Sequence, residues 1–258
     1  MDRPLLLLTS DDGIDAPGLL ALRQALAELG DVSVVAPEHN WSAAGHSKTM
    51  HKPLRTRPAR LADGSEALVT SGSPSDCVAL VLLGLLGRRP DLVLSGINLG
   101  ANVGQDVTYS GTVAAGMESV IGGVSAVAVS LDTYEPGDFR PAARFAAHLA
   151  RQMLGARLGK PLLLNVNVPA RPEAAIRGVQ ITRLGQRTYH DFLLQRADPR
   201  GRPYYWIGGD PPTGVPEEGT DIGAIAQGYI SVTPILLDLT DYSRLAALRA
   251  WNLSFPIG

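Results

Sequence analysis

LLLLTSDDG, residues 5–13, begins with four leucines and ends in two adjacent carboxylates and a glycine. The apolar run has no helical period and stops abruptly at polar turn residues. It therefore reads as a short strand, Leu5–Thr9, buried on both faces. A strand of that kind belongs to a parallel sheet covered by helices, so the sequence around it should alternate strands with helices. It does. Asp15 and Pro17 mark a helix start, and GLLALRQALAEL (18–29) carries apolar residues at helical spacing until Gly30 stops it. DVSVVAP (31–37), EALVTSG (66–72), DLVLSG (91–96) and VSAVAVSL (124–131) read as further strands. Ser73-Pro74 opens a helix through about Leu86, and Thr112 to about Ile121 forms another.

The second half is less regular. A helix over 138–154, strands at PLLLNVNVP (161–169) and GVQITRL (178–184), and a late strand segment YISVTPILLDL (229–239) continue the theme. ADPRGRPYYWIGG (197–209) has aromatics beside turn residues and reads as a hairpin or projecting arm. The expected fold class is α/β: a Rossmann-like, mostly parallel sheet with helices on both faces, plus a β-rich C-terminal extension. The whole chain, 1–258, is expected to form one domain without a separate second one.

Composition narrows the function classes. Hydrophobic residues make up 45% and charged residues 19% of the 258, which describes a globular chain and not a disordered one. A net charge of −2 provides no basic field for a nucleic acid polymer. The single cysteine, Cys77, excludes an internal disulfide or a CxxC metal or redox motif; it falls inside a helix, where it is expected to be buried and inert. The Leu5–Leu8 run is too short for a signal segment or a membrane span, so the expected setting is the cytoplasm with no membrane partner.

Ligands of parallel α/β sheets bind outside the carboxyl ends of the strands, and the polar residues cluster there. Asp11 and Asp12 follow the first strand. Their mutual repulsion calls for a positive partner, of which a divalent cation is the strongest; both can face one ion if the chain turns at Gly13. The plainer alternative has Asp12 or Asp15 capping the next helix and Asp11 solvated. SGINLGANVG (95–104) sets Asn98 and Asn102 among glycines after the fourth strand, as ligand-binding amides or as ordinary turn residues. Ser110, Gly111 and Thr112 stand at a helix start, where free N–H groups and hydroxyls suit an anion, or simply cap the helix. The long polar loop 38–49 supplies Ser42, His46 and Ser47. No GxxxxGK[ST] or strand-linked GxGxxG occurs, which excludes a Walker-type site and a Rossmann dehydrogenase. Acidic, amide and hydroxyl groups at three strand ends together suggest metal-assisted hydrolysis of a phosphate ester.

SDDGIDAPGL (10–19), VVAPEHNWSAAGHS (34–47), GSPSDCVAL (72–80), DLVLSGINLGANVG (91–104) and YSGTVAAGMES (109–119) resemble, in order, the motifs of the SurE (survival protein E) family of metal-dependent nucleotidases. LLNVNVP (163–169), DPRGRPYYWIGG (198–209) and YISVTPILLDLT (229–240) extend the resemblance over nearly the whole chain. It implies a phosphomonoesterase acting on nucleoside 5′- and 3′-monophosphates, with short polyphosphate as a further substrate, and one Mg²⁺ or Mn²⁺ per subunit. By position it makes Asp11 and Asp12 the catalytic pair, Asp11, Asp12, Ser42 and Asn98 the metal ligands, and Asn102, Ser110, Gly111 and Thr112 the phosphate holders. It also implies a homodimer or homotetramer, with a core over about 1–184, a hairpin arm over about 185–210 and a C-terminal oligomerisation segment, swapped between subunits, over about 211–258. Two departures stand out. Ser10 replaces the usual asparagine before the aspartates, and GSPSDC replaces GTP-x-DC while keeping a capping hydroxyl. A haloacid-dehalogenase-like phosphatase would show Asp-x-Asp here, and a nucleotide- or metal-sensing module would bind without turnover.

Overall fold

In the computed structural model, which describes residues 3–251 and 253–255, the Leu5–Thr9 run is strand β1 in the interior of a nine-stranded sheet. The chain continues through α1 (Pro17–Leu26), β2 (Asp31–Pro37), β3 (Thr56–Arg60), β4 (Glu66–Thr70), α2 (Pro74–Leu82), β5 (Leu92–Leu99) and α3 (Gly111–Ile121). Then come β6 (Ala126–Asp132), α4 (Arg140–Gly155), β7 (Leu163–Pro169), β8 (Val179–Ile181), β9 (Arg187–Ala197), β10 (Pro203–Gly214), α5 (Asp221–Ala226), β11 (Ile230–Ile235) and α6 (Leu245–Arg249). The sheet order is β3-β4-β2-β1-β5-β6-β7-β11-β8. The run from β4 to β7 is parallel; β3 and β11 each pair antiparallel with it, and β8 runs parallel to β11. The fold is the expected mostly parallel α/β sheet.

The leucine run is uniform because both of its faces are covered. Leu6 and Leu8 pack with Leu19, Leu22 and Leu26 of α1 and the Ala142, Ala146 and Ala150 stripe of α4. Leu7 points the other way, into Cys77, Val78 and Val81 of α2 and Val113 and Ala115 of α3. Cys77 is buried, and burial pushes its thiol pKa up. The sheet order reverses at β1: the chain moves to β2 on one side and later crosses to β5 on the other. The crevice beyond the carboxyl ends of β1 and β5 is thus the switch point where α/β sheets bind ligands.

Strand β3 has no counterpart in the sequence reading. It is an exposed edge strand, TRPAR, whose arginines and proline hide any apolar alternation and suit an edge. Helix α1 begins at Pro17 with Ala16 as its N-cap and no side-chain cap, so neither Asp12 nor Asp15 caps it. The hairpin exists as β9 and β10, a separate two-stranded ribbon that reaches Gly214. The late strand stops at Ile235 and pairs with this chain's own β7.

GSPSDC forms the expected cap and does more. The Ser73 hydroxyl accepts from Asp76 N, and the Asp76 carboxylate accepts from Ser73 N at 2.9 Å, a capping box at the start of α2. Asp76 also accepts from Thr49 N at 2.9 Å and from the Thr49 hydroxyl at 2.7 Å, fastening the end of the 38–49 loop. Burial pushes the Asp76 pKa up, but the Thr49 and Ser73 donors outweigh it and hold the carboxyl below its ordinary value. Ser73→Ala is expected to cost about 1 kcal/mol, the usual loss of an N-cap. Asp76→Ala, which strands several donors, should cost about 2–3 kcal/mol. Urea unfolding of both variants checks the order.

Candidate active site at the switch point

Beyond Thr9 the chain must leave the sheet at once. Gly13, at φ +92°, allows the turn that carries the chain away directly after Asp11 and Asp12. Ser10 supports this turn with its hydroxyl, which accepts from Asp12 N at 3.3 Å. The backbone atoms around the pair are also tied down: Trp41 N donates to Asp11 O at 2.7 Å, fixing the 38–49 loop over them.

Asp11 is 3% exposed and sits against the first turn of α3. Its carboxylate accepts from the Thr112 hydroxyl. A Cβ on Gly111 would lie 2.8 Å from Asp11 Cβ, so only glycine lets the helix approach this closely. Burial raises the Asp11 pKa to about 6, with the Asp12 charge pushing the same way against the Thr112 hydrogen bond. Asp12 is half-buried, and burial raises its pKa too. Its oxygens accept from Asn40 Nδ2 at 3.2 Å and from Leu99 N at 3.3 Å, linking the loop after β2 to the end of β5.

Asn98 is buried at the end of β5, where its Nδ2 donates to Gly100 O at 2.8 Å and leaves Oδ1 as its acceptor. Ser42 is exposed at the rim, with its N–H held by Asn40 Oδ1 at 2.7 Å. Asn102 is locked by its backbone, whose N–H donates to Asn167 Oδ1 and whose carbonyl accepts from Asn165 and Asn167. Its Nδ2 donates to the Ser130 hydroxyl at 2.8 Å. Ser110 is the N-cap of α3, its hydroxyl accepting from Val113 N at 3.1 Å.

Asp11, Ser42, Asn98, Asn102 and Ser110 therefore line one cleft of about 400 Å³. Gly111 and Thr112 lie behind its wall. The Thr112 hydroxyl, expected at the phosphate, is committed to Asp11. A larger groove of about 640 Å³ beside β2 and β4 is a splayed sheet edge whose polar side chains are Ser33, Arg60 and Glu66, without this convergence of acids and amides.

The sequence reading missed several cleft residues. Asp106, Tyr109, Tyr134 and Pro212 also line the cleft. Tyr134 lies just past the carboxyl end of β6, a position the sheet rule could have flagged; nothing local marks Pro212, which arrives from the hairpin. His46 and Lys48 both contact Glu118 of α3, at 3.0 and 2.8 Å, and so anchor the loop that carries Ser42.

The family model described as "Survival protein SurE" matches residues 6–191. The chain belongs to the SurE family. It is 53% identical over 251 residues to the "5'-nucleotidase SurE" of Herpetosiphon aurantiacus, covering 96% of this chain and 98% of that one. The protein of the same name from Chloroflexus aggregans is 53% identical over 249 residues, again 96% and 98% covered. The crystal structure of the SurE protein from Aquifex aeolicus matches with a TM-score of 0.80 at 40% identity, over 96% of this chain and 99% of that chain. Motif resemblance, family model and solved SurE fold thus agree on the sheet that carries the cleft.

Thr112 can be tested without reference to turnover. Thr112→Val keeps the shape but removes the hydroxyl that donates to Asp11, so the Asp11 pKa should climb above about 6. Titration of the carboxyl carbon by NMR in metal-free protein reads the shift, and an unchanged midpoint contradicts the assignment.

Proposed function

We propose that this chain is a divalent-metal-dependent phosphomonoesterase that hydrolyses nucleoside 5′-monophosphates to nucleoside and phosphate. The observation that carries the reading is the cleft lined by Asp11, Ser42 and Asn98 at the β1/β5 switch point beside the N-cap of α3, with Asp12 next in the chain and held to the end of β5, in a chain whose relatives are named 5′-nucleotidases. Nucleoside 3′-monophosphates and short polyphosphate are further substrates of the same site. The cytoplasm and a homodimer or homotetramer complete the proposal. Exposed Leu193, Trp206 and Ile207 on the hairpin and Leu239 and Trp251 beyond β11 support association of copies. Among the described residues no helix is long and apolar enough to cross a membrane.

The donor set fits a hard cation. Among the described residues no three His, Cys, Asp or Glu side chains converge, so an ion here would meet two carboxylates and neutral oxygens only. That set suits Mg²⁺ or Mn²⁺, which accept few carboxylates and leave room for water and substrate phosphate. Asp11, Asp12, the Asn98 Oδ1 and the Ser42 hydroxyl would hold it. When bound, the cation supplies Lewis acidity, acidifying water and neutralising phosphate charge. The chain's own groups do the rest. Thr112 holds Asp11 ionised and oriented, and Asn40 and Leu99 N–H hold Asp12. Asp12, the less buried of the pair, accepts the proton of the attacking water at a carboxylate oxygen. Ser110 and Asn102, which line the cleft, bind the equatorial phosphate oxygens as charge redistributes.

Wild-type protein is expected to release phosphate from nucleoside monophosphates with Mg²⁺ or Mn²⁺ and to stop when EDTA is added. Asp12→Asn should fall by about 100-fold or more, at least the loss expected for a partner that only orients a ligand. Activity indifferent to EDTA, or full activity in Asp12→Asn, overturns the reading. Binding of nucleotide without release would favour a sensing module.

The raised Asp11 pKa gives a second test. Because its folded pKa of about 6 exceeds the ordinary carboxyl value of 3.8, the metal-free fold gains from the protonated carboxyl at low pH and loses that gain as pH rises through the folded value. A cation that takes the carboxylate offsets the loss. The rise in Tm on adding Mn²⁺ should therefore be larger at about pH 7.5 than at about pH 5, as differential scanning fluorimetry can show.

A further inference from the structure

The outer wall of the cleft is fastened by the hairpin and not by the core sheet. Arg187, the first residue of β9, donates from Nε to Asp106 Oδ2 at 2.6 Å and from Nη1 to Pro212 O at 3.0 Å. Its backbone N–H donates to Gln105 Oε1 at 2.9 Å. Tyr189, two residues along, donates its hydroxyl to Asp106 Oδ1 at 2.6 Å. Both oxygens of Asp106 are thus held by the arm. The ion pair is mostly shielded, its side chains 11% and 18% exposed. A shielded, charge-assisted pair holds geometry better than a surface one.

Asp106 in turn organises the segment that faces substrate. It lies in a single 3-10 turn, Gly104–Thr108, and its carbonyl accepts from Tyr109 N at 2.9 Å and Ser110 N at 3.1 Å. Tyr109 O then accepts from Gly45 N at 2.9 Å, in the loop that carries Ser42. At the other end of the turn, buried Asp221 accepts from Gly104 N at 2.8 Å and, through its second oxygen, from Gly185 N at 2.7 Å at the stem of the arm. The turn is therefore held by the arm at Asp106 and, through Asp221 of α5, tied to the arm's stem at Gly104, and Tyr109 and Ser110 directly after it line the cleft.

We infer that Arg187 and Tyr189 are positioning residues for the phosphomonoesterase site: acting through Asp106, they set the turn that presents Tyr109 and Ser110 to the nucleotide. The arm is then a working part of the substrate site as well as a projection. The inference rests on the proposed function, and its test separates the two.

Steady-state kinetics on a nucleoside 5′-monophosphate are measured for wild type, Arg187→Ala, Asp106→Asn and the double variant. Arg187→Ala should raise KM about tenfold and change kcat far less, because binding geometry is lost and the metal-ligand pair is untouched. The double variant should be no worse than the poorer single one, since both remove the same interaction. Arg187→Lys, with its charge but no planar fork, should recover only part of the loss. Tyr189→Phe, which leaves the ion pair and the ring in place, should raise KM by a smaller factor and serves if Arg187→Ala does not fold. An unchanged KM in folded Arg187→Ala or Tyr189→Phe, or fully additive losses in the double variant, overturns the inference alone. A wild type that releases no phosphate overturns the proposed function and the inference with it.

Discussion

Everything in this structure turns on where the Asp11 carboxylate is placed. It is buried just past the end of β1, against the N-terminal turn of α3, with a second carboxylate next to it in the chain. Burying a carboxylate costs heavily unless donors meet it. The chain meets that demand with the Thr112 hydroxyl, the favourable end of the α3 dipole and a glycine at 111 that lets the helix come close. The helix start that reads as an anion site is, in the first instance, a seat for the protein's own anion. What remains unbalanced, two acids with raised pKa values, is the charge that a cation would complement.

The rest of the site is assembled around that seat by short hydrogen-bonded links between strand ends. Asp12 joins the loop after β2 to the end of β5, and Trp41 N–H ties that loop to the Asp11 backbone. Glu118 draws in His46 and Lys48, and Asp76 draws in Thr49, so the long 38–49 loop is pinned at several points although it has no secondary structure. Rigid support from helices α2 and α3 beneath a polar loop is what a site requiring fixed oxygen ligands needs. Ser10 fits this scheme: its hydroxyl caps the turn at Asp12 N, so the departure from the family's asparagine keeps a local acceptor in place.

Much of this was legible in the residues themselves. The uniform apolar strands 5–9, 91–96 and 124–131 could only be buried on both faces, and that burial makes the sheet parallel and its carboxyl edge the binding edge. Of the polar residues that cluster after β1 and β5, Asp11, Asn98 and Asn102 line the cleft. Less visible were segments whose stability comes from elsewhere. Strand β3 has exposed arginines and a proline, so no alternation marks it; it exists because it pairs with β4.

The sequence by itself determined the parallel core, the acid pair at its carboxyl edge and the capped start of α2, because each depends on local pattern: apolar runs, a turn-permitting glycine, a Ser-Pro-x-Asp cap. Only the tertiary structure decided which hydroxyl serves whom. Thr112 turns to Asp11 and leaves Ser110 at the cleft, a choice set by how closely Gly111 at the start of α3 approaches Asp11. Only the folded chain, too, brings Arg187 and Tyr189 to Asp106 from about eighty residues away. Contacts at that separation leave no periodic trace in the chain, since they depend on where the arm is rooted and not on any neighbour in sequence.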